Sequence, residues 1–308
     1  MTRILITGGA GMVGRALAQT LPGDQLITDL TDRGLPEGTR FRRMDVTGCD
    51  PETVIGDERP EVVVHLASIV TPPPGMTRAQ AYAVDVTGTR NVLDACLRYG
   101  VRRLVVTSSG AAYGYHADNP VPLTEDAPCR GNPEFAYADH KRQVEEMLAQ
   151  ARQDHPSLEQ VVLRVGTVLG AGTDNQITAL FHRKRLLAIR GHDSPFVFIW
   201  TQDLARIVHR AATDGPAGIY NVAGDGWLSV VELAEMLGKP VLTLPAFGLK
   251  AALAVLRPLA LSQYGPEQVR FLQYRPVLAN DRLKRNFGYV PELTSKQVFA
   301  LWQKEAGL

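Results

Sequence analysis

A tyrosine and a lysine four residues apart form the first pair of side chains that could do chemistry. They stand in the segment Tyr137-Ala-Asp-His-Lys141, and positions i and i+4 share one face of a helix. A free tyrosine has a pKa of about 10 and supplies little phenolate at neutral pH. An ammonium group beside the phenol stabilises the phenolate, which lets Tyr137 exchange a proton with a substrate hydroxyl. The same spacing is common in surface helices, so the pair alone does not define a site.

A serine at the end of an apolar run is a further candidate. Ser109 closes the run 104–109, which has the pattern of a buried strand. Ligands bind at the carboxyl-terminal edge of such a sheet, where a hydroxyl could hydrogen-bond the reacting oxygen. A serine that only stabilises the turn after a strand would look the same in the sequence.

Glycines spaced three apart follow the first apolar run, Arg3–Thr7. Glycine permits a tight turn, a close approach of the backbone to a pyrophosphate, and close packing of helix on strand. The free amides at the start of the next helix would face the phosphates. Because the turn directly follows the first strand, it favours a dinucleotide site over a plain strand-to-helix turn. The predicted site comprises Gly8, Gly11, Met12, Val13 and Gly14.

An acidic residue follows at the spacing expected for a ribose ligand. Asp29 lies 21 residues beyond Gly8, close to the spacing of about 20 residues in dinucleotide-binding folds. A carboxylate there accepts hydrogen bonds from ribose hydroxyls and repels a 2′-phosphate, so NAD is expected in preference to NADP. Arg33, four residues later, could instead bind a phosphate. Asp29 could also simply stabilise a turn.

The elements that must position these residues alternate between short apolar runs and longer helical stretches. Several runs are continuously apolar, as expected for strands buried on both faces of a parallel sheet. The alternation predicts an α/β fold with a Rossmann-like, doubly wound parallel sheet. The predicted strands are residues 3–7, 25–29, 41–46, 62–67, 104–109 and 161–165, and the predicted helices are 13–21, 88–99 and 137–152.

The pattern loosens after about residue 166. Ser229-Val-Val-Glu232 is a capping box that opens a short helix ending at Gly238, and proline and glycine then interrupt the chain often. We predict a dinucleotide-binding Rossmann domain over residues 1–166 and a smaller, mainly substrate-binding lobe over 167–308. Segments near 201–224 are candidates for a return to the first domain.

Composition excludes several classes of protein. The chain has 308 residues, 45% of them apolar and 21% charged, and 33 basic against 32 acidic residues leave a net charge of +1. This is typical of a globular protein, and the low charge argues against a nucleic-acid binder. Three cysteines without a CxxC spacing argue against a disulfide framework and suit a reducing compartment. The apolar stretch 246–261 contains two basic residues and a proline and is shorter than the roughly 20 residues of a membrane span, so we expect a cytoplasmic protein.

Taken in order, the glycine turn, Asp29, the strand-end serine and the Tyr–Lys helix resemble the extended short-chain dehydrogenase/reductase family, which contains nucleotide-sugar epimerases and dehydratases. The resemblance covers nearly the whole chain. It implies that Ser109 orients the substrate oxygen, that Tyr137 is the acid/base, and that Lys141 tunes the tyrosine and holds the nicotinamide ribose. It also implies further cofactor contacts at Asp45, Val46, Leu66, Ala67 and Ser68.

Two more segments carry the resemblance, and one of them departs from it. The stretch Val84-Asp-Val-Thr-Gly88-Thr-Arg-Asn91 is similar to a helix of the family, with Asp85 where asparagine is usual. Residues 281–291 are similar to the family's terminal signature. His140, inside the Tyr–Lys segment, is expected to point away from the pair toward solvent.

Departures near the substrate narrow the reaction. Family dehydratases carry acidic residues directly after the active-site hydroxyl residue, whereas Gly110 and Ala111 follow Ser109 here, which disfavours elimination of water. The nucleotide-sugar branch has an asparagine where this chain has Thr167, and a diphosphate-binding arginine where it has Phe196. Loss of a bidentate anion clamp would weaken diphosphate binding. An arginine from elsewhere could replace it, and the candidates are Arg183, Arg185, Arg190 and Arg275. The neighbouring aromatic residues, which include Trp227 and Phe247, suit a core somewhat better than a ligand wall.

The sequence therefore predicts an NAD(P)-dependent oxidoreductase that transfers hydride at a secondary alcohol or ketone carbon. The expected small-molecule substrate is a sugar or nucleotide sugar, processed by epimerisation or dehydrogenation. A non-nucleotide carbonyl compound, such as a sterol-like or aromatic ketone, is the alternative substrate. A noncatalytic dinucleotide sensor is a third interpretation, which the Tyr–Lys pair disfavours. His182, His192 and Asp193 lack a third ligand at suitable spacing, so we predict no metal site. The family resemblance implies a homodimer through helices 88–99 and 137–152, and both of these helices carry apolar stripes.

Overall fold

The structure is a computed structural model that describes residues 2–21, 24–173, 175–259 and 265–308. Strands and helices alternate through the first half of the chain, as predicted. The strands are β1 (Arg3–Thr7), β2 (Asp24–Asp29), β3 (Phe41–Arg43), β4 (Val62–His65), β5 (Arg103–Ser109), β6 (Glu159–Val165), β7 (Thr167–Leu169), β8 (Leu186–Ile189), β9 (Phe198–Trp200), β10 (Gly218–Val222) and β11 (Val241–Leu244). The helices are α1 (Met12–Ala18), α2 (Asp50–Glu58), α3 (Arg78–Tyr82), α4 (Gly88–Arg98), α5 (Ala136–Asp154), α6 (Gln176–Phe181), α7 (Thr201–Ala212), α8 (Val230–Met236), α9 (Ala246–Leu256), α10 (Gln268–Gln273) and α11 (Ser295–Glu305). A 3₁₀ turn (Gly110–Tyr113) and two π-helical segments (Ala83–Thr87 and Leu283–Phe287) complete the regular structure of these ranges.

Seven strands form one sheet in the order β10-β6-β5-β4-β1-β2-β3. Every neighbouring pair in it is parallel. One apolar core covers each face, with Leu17 and Ile207 in the first and Val92 and Leu148 in the second. This burial on both faces is why the strands read as continuous apolar runs. The predicted Rossmann-like doubly wound fold is confirmed, and the strand order reverses beside β1, where such folds bind ligands.

Two predicted strands are shorter in the structure. The predicted strand 41–46 ends at Arg43, because Asp45 folds into a turn in which it accepts hydrogen bonds from the N–H and hydroxyl of Thr47. The predicted strand 62–67 ends at His65, opposite Thr7, where the neighbouring β1 also ends. The ends of both strands therefore mark the start of the loops that border the site.

The second half of the chain forms a smaller lobe around an aromatic core. Two-stranded sheets pair β8 with β11 and β7 with β9, and the core includes Phe181, Phe198 and Trp302. The capping box at Ser229 opens α8 as predicted. Trp227 and Phe247 are 47% and 78% exposed, so these two aromatic residues belong to neither core nor cavity wall. The strand β10 lies beside β6 in the main sheet, and the domain boundary at 166 stays a prediction.

The long helix α5 is fixed to the sheet by a buried ion pair. Arg164 on β6 contacts both carboxylate oxygens of Glu145 on α5, at 3.0 Å each. Arg164 also donates to the hydroxyl of Tyr113 at 2.8 Å. A two-point pair of this kind sets the orientation of a helix as well as its position, and this helix begins with the Tyr–Lys segment.

The apolar stretch 246–261 is mainly the helix α9, none of whose residues is buried. The last two residues of the stretch, 260 and 261, lie outside the described residues. No helix within those ranges is both long and apolar enough to cross a bilayer.

Candidate active site

The carboxyl-terminal edge of the main sheet opens into a cavity of about 1180 Å³. Most of the predicted site residues line it, namely Gly8, Gly11, Met12, Val13, Gly14, Leu66, Ser68, Ser109, Tyr137, Lys141, Thr167 and Phe196. Asp29, Asp45, Val46 and Ala67 lie outside its wall. The fold thus brings the glycine turn, the Tyr–Lys pair and the predicted substrate residues to one cavity.

The glycine turn has no room for side chains at two of its positions. Gly8 has φ +66°, and a Cβ added to it would lie 2.6 Å from the backbone nitrogen of Ala67. A Cβ on Gly14 would lie 2.4 Å from the carbonyl oxygen of Gly9. These glycines keep a backbone-lined floor against which a flat or extended anionic group can rest. This part of the cavity, lined by Gly8, Gly11 and Gly14, is called the cofactor end below.

Asp29 stands beside the glycine turn and is fixed by it. One carboxylate oxygen accepts the Ala10 N–H at 3.0 Å, and the other accepts the Leu30 N–H at 2.7 Å. Both bonds leave acceptor capacity on the carboxylate for hydroxyl donors. Arg15 also lines the cavity here, with its guanidinium on the Ala10 carbonyl at 2.9 Å. Arg15 was not predicted from the sequence, although its place in α1 next to the glycines could have indicated it.

The remaining predicted cofactor contacts are each held by a different kind of neighbour. The Asp45 carboxylate is held by Thr47, whose N–H and hydroxyl lower the pKa of Asp45 below its usual range. Val46 is buried against α4, where a Cβ on Gly88 would lie 2.7 Å from it. Ala67 presents its backbone to Gly8. These contacts to a dinucleotide stay predictions.

The Tyr–Lys pair lies at the start of α5 and faces the cavity. Lys141 Nζ is 5.7 Å from the centre of the Tyr137 ring and donates to the Thr107 carbonyl oxygen at 2.9 Å. Ser109, at the end of β5, accepts the Ala111 N–H at 3.1 Å. All three residues line the cavity, and the carbonyl at the end of β5 holds the lysine in place.

Burial dominates the ionisation of this pair. It raises the pKa of Tyr137 above its usual range, while a hydrogen bond from Ser109 lowers it and the charge of Asp85 raises it further. Burial also lowers the pKa of Lys141, against the charges of Asp85 and Glu145. In the protein alone Tyr137 is thus a neutral phenol that can donate a proton. The lowering of the tyrosine pKa expected from the sequence therefore depends on an additional positive charge, such as an oxidised nicotinamide ring.

His140 does not face solvent, and that expectation is wrong. The side chain is 1% exposed, and Nδ1 lies 2.9 Å from a carboxylate oxygen of Asp85. Helix α5 is covered here by α3 and by the π-helical segment Ala83–Thr87, so a position outside the Tyr–Lys face is still interior. The aspartate at position 85, where the family usually has asparagine, was the one signal in the sequence for the His140–Asp85 pair.

The opposite part of the cavity contains a buried arginine. Arg275 is 8% exposed, and its guanidinium lies 3.8 Å from the ring centre of Phe196 and 4.7 Å from that of Phe271. Its one hydrogen bond within the described ranges is from Nη1 to the Ser194 carbonyl oxygen at 3.0 Å. Burial lowers the pKa of Arg275 to about 9, partly offset by Tyr115. The part of the cavity lined by Phe196, Phe271 and Arg275 is called the substrate end below.

The charges around the cavity are of one sign. Among the described residues no aspartate or glutamate lines it, whereas five basic side chains do: Arg15, Lys141, Arg183, Arg185 and Arg275. Arg190, the fourth arginine considered from the sequence, is exposed and outside the wall. Phe196 is a buried platform for Arg275 rather than an anion ligand, and Thr167 lines the cavity from β7. No cluster of three or more potential metal ligands occurs in the described part of the chain.

The sequence profile of the NAD dependent epimerase/dehydratase family matches residues 4–223. The chain belongs to this family. Its members use NAD, and the glycine floor at the cofactor end fits such a group, because a Cβ at Gly8 or Gly14 would meet neighbouring backbone atoms.

Individual relatives align with this chain over more than half of its length. An uncharacterised protein of Mycobacterium tuberculosis is 25% identical, over 99% of this chain and 84% of its own length. A UDP-glucose 4-epimerase from Azospirillum brasilense is 32% identical, over 62% and 60%. A dTDP-glucose 4,6-dehydratase from Streptomyces griseus is 28% identical, over 77% of each chain. The structure of UDP-glucose 4-epimerase with UDP-glucose from Thermotoga maritima has the same fold, with a TM-score of 0.77 at 19% identity and 99% of both chains covered.

Proposed function

We propose that this family member transfers hydride between NAD and a secondary alcohol or ketone carbon of a nucleotide sugar, as an epimerase or a dehydrogenase. The observation that supports the substrate class is Arg275, a buried guanidinium that lines the same cavity as Tyr137. Within the described ranges it donates to the Ser194 carbonyl and has no carboxylate partner, and its Nε is buried without a hydrogen bond. A buried charge without a partner is costly, and the two negative charges of a diphosphate would supply one.

The chain's own residues provide the proton chemistry. Bound NAD supplies a ring that accepts or returns a hydride. Tyr137 takes the proton of the substrate hydroxyl during oxidation and returns it during reduction, and Ser109 hydrogen-bonds the same oxygen. Lys141 stabilises the phenolate from beneath and is itself kept in place by the Thr107 carbonyl. The phenol is neutral without added positive charge, so oxidation of the alcohol is coupled to the presence of the oxidised cofactor.

The cavity supports hydride transfer rather than elimination of water. Gly110 and Ala111 follow Ser109 in the 3₁₀ turn, and no carboxylate of the described residues reaches the wall. A dehydratase needs a further acid and base near the hydroxyl that it eliminates. For this reason we place the chain with epimerases and dehydrogenases although a dehydratase is among its relatives.

Binding of UDP to the NAD-loaded protein tests the substrate class. Arg275→Gln removes the charge and leaves a shorter polar side chain, and Arg190→Gln makes the same change at an exposed residue outside the wall. We expect R275Q to bind UDP about ten- to a hundredfold more weakly, as for a lost hydrogen bond to a charged group, with R190Q unchanged in calorimetry. Equal UDP affinity of R275Q and the unmodified protein would reject the nucleotide-sugar assignment.

A reductase of a non-nucleotide ketone is the second candidate. It is favoured by the apolar wall beside Arg275, formed by Leu249, Leu253, Phe271 and Leu272. This candidate predicts that a steroid or aryl ketone oxidises NADH, which the loss of absorbance of the reduced nicotinamide measures. It also predicts that UDP does not inhibit this reaction. A nucleotide-sugar epimerase instead keeps its NAD through purification and consumes none. If Tyr137→Phe leaves the biological activity intact, the noncatalytic sensor replaces both.

Assembly and location complete the proposal. We propose a homodimer through α4 and α5 and a cytoplasmic protein, whose three cysteines are all free. Light scattering at micromolar concentration measures the assembly, and a monomeric mass would contradict it.

A further inference from the structure

A row of aromatic side chains connects the start of α5 with the substrate end of the cavity. Phe135 directly precedes α5, two residues before Tyr137, and its ring meets that of Tyr115 edge to face at 5.0 Å between centres. Tyr115 meets Phe271 in the same way at 5.2 Å, and the Arg275 guanidinium lies 4.7 Å from the centre of the Phe271 ring. All five residues line the cavity. The row therefore follows the cavity wall from the catalytic phenol to the buried arginine.

Tyr115 is the polar member of this row, and the proposed proton transfer does not use it. The residue is 9% exposed. The described residues offer its hydroxyl no hydrogen-bond partner, and this oxygen is not one of their fully buried unpaired atoms. The hydroxyl is therefore open to the cavity that Tyr115 lines, where it can serve a bound molecule as a donor or an acceptor.

The backbone of Tyr115 is fixed by a tight turn. Its N–H donates to Oδ1 of Asn132 at 2.7 Å, and Asn132 is itself buried. Gly114, the residue before it, has φ +81°, and a Cβ added there would collide with the carbonyl oxygen of Gly131. An aromatic ring packs on either side of the phenol. The hydroxyl is thus held in place before a ligand arrives, which lowers the entropy cost of making a contact with it.

Tyr115 lies within electrostatic reach of both the acid/base and the arginine. Burial raises the pKa of Tyr115 to about 12, and the positive charge of Arg275 lowers it. Tyr115 in turn raises the pKa of Tyr137. At neutral pH Tyr115 is therefore an uncharged phenol between the two groups. Such a hydroxyl suits the hydroxyl group of a sugar, whereas phosphates bind to the charge of Arg275.

A nucleotide sugar that is held by Arg275 and reacts at Tyr137 must lie along the aromatic row. Its diphosphate is bonded to one carbon of the sugar, and the reacting carbon belongs to the same sugar ring. With the phosphates at the arginine and the reacting carbon at the catalytic phenol, the sugar ring lies beside Tyr115. An apolar ketone in the same place would leave the Tyr115 hydroxyl without a partner, and a buried polar group without a partner is costly.

We propose that Tyr115 is a substrate-contacting residue whose hydroxyl hydrogen-bonds a hydroxyl group of the sugar and so selects sugars over apolar carbonyl compounds. The inference rests on the proposed function, in which Arg275 binds the diphosphate and Tyr137 exchanges the proton. It adds a residue that recognises the sugar itself. A site that hydrogen-bonds a substrate hydroxyl rejects an analogue without it, because the polar group of the site is then left unpaired.

Tyr115→Phe tests the contact, because it removes the hydroxyl, keeps the ring and breaks no hydrogen bond to the described residues. Calorimetry on the NAD-loaded protein compares UDP with whichever of UDP-glucose, UDP-galactose and UDP-N-acetylglucosamine the unmodified protein binds most tightly. We expect Y115F to bind this UDP-sugar about three- to tenfold more weakly, as for one lost hydrogen bond. UDP should bind as before, since it lacks the sugar beyond the diphosphate. Tyr274→Phe is the matched control, next to Arg275 but outside the cavity wall, and both affinities should stay unchanged in it.

Monodeoxy analogues of the same UDP-sugar identify the hydroxyl that Tyr115 contacts. One analogue should bind the unmodified protein about three- to tenfold more weakly than the parent UDP-sugar. The same analogue and the parent should bind Y115F equally well, because the two hydroxyl groups form one bond and removing the second costs nothing further. If Y115F does not fold, the unmodified protein decides, and equal affinity for the parent and every analogue would overturn the proposal.

Two results with Y115F would also overturn the proposal. One is an affinity for the UDP-sugar within about twofold of the unmodified protein, well below the loss expected for a hydrogen bond. The other is an equal loss of UDP and UDP-sugar affinity, which would mean that Tyr115 acts on the phosphates through Arg275. The proposed function fails differently, because R275Q would then bind UDP as the unmodified protein does. Weaker UDP binding by R275Q together with unchanged UDP-sugar binding by Y115F rejects only the role of Tyr115.

Discussion

The two ends of the cavity are built in different ways. The cofactor end is a backbone surface made by one short turn, in which Gly8 and Gly14 exclude side chains. The substrate end is made by side chains from distant segments, where Arg275 rests on Phe196 and Phe271. A backbone site requires a fixed spacing of glycines and so leaves a pattern in the sequence. A side-chain site requires only that residues meet after folding, and it leaves no such pattern in the sequence.

Tyr137→Phe should have the largest effect on catalysis without altering either end. The variant loses the proton that is exchanged with the substrate, which contributes about a hundred- to ten-thousandfold to the rate. We expect kcat to fall by this amount, measured with the best sugar nucleotide found. NAD and UDP should bind as before in calorimetry, and a loss of either would mean that the ring also supports an end of the cavity.

Glu145→Ala should have the largest effect on stability, because both ends depend on the placement of α5 and β6. It leaves the buried Arg164 without its carboxylate, and breaking such a pair costs about 3–5 kcal/mol. Denaturant unfolding measures this loss. Glu146→Ala is the control, because the pair of Glu146 with Arg142 is exposed and such pairs contribute at most about 1 kcal/mol. Equal losses of unfolding free energy in the two variants would show that the buried pair stabilises the protein no more than the exposed one.

Gly8→Ala separates the two ends. Its φ of +66° and the 2.6 Å approach to Ala67 force the turn to shift, at a cost of about 1–3 kcal/mol. NAD should bind at least tenfold more weakly while UDP binding is retained. Gly100→Ala has nearly the same φ, +67°, but nothing within 4 Å of its Cβ, so it carries the backbone strain alone and should keep its NAD affinity. A parallel loss of UDP binding in G8A would mean that the two ends are not independent.

Asp29→Asn should have the smallest effect and concerns the outer edge of the cofactor end. The amide oxygen still accepts the Ala10 N–H, but the amide carries no charge that repels a 2′-phosphate. Arg15 and Arg33 are the nearby basic residues that attract this phosphate. We expect the preference for NADH over NADPH, taken from the two Kd values, to decrease about tenfold, as for one pKa unit of electrostatic interaction. An unmodified protein that already binds NADPH tenfold more tightly would contradict the role given to Asp29.

The sequence predicts the fold and the cofactor end well for the same physical reason. Strands buried on both faces must be apolar throughout, and a turn at the end of β1 must be free of side chains, so both constraints act on neighbouring residues. The error at residues 41–46 arose where the Asp45 carboxylate accepts the Thr47 N–H and so ends the strand, because apolar content does not encode such a bond.

The substrate end and the His140–Asp85 pair could not be predicted in the same way. Arg275 was one of four arginines of equal standing, and only its position beneath the aromatic rings distinguishes it. His140 was placed on an outer helix face by its distance from Tyr137, but a helix with neighbours on several sides has more than one inner face. Residues 55 positions apart, such as Asp85 and His140, become partners only through tertiary packing.

The return of β10 to the edge of the main sheet has an evolutionary and practical consequence. The chain leaves the sheet after β6 and comes back after residues 166–217, to pair with that same strand. A fragment cut at residue 166 would expose the bare hydrogen-bonding edge of β6, which invites association with other chains. Exchange of substrate preference between relatives should therefore require swapping both the excursion between β6 and β10 and the later segment that carries Phe271 and Arg275, with β10 itself kept in the sheet.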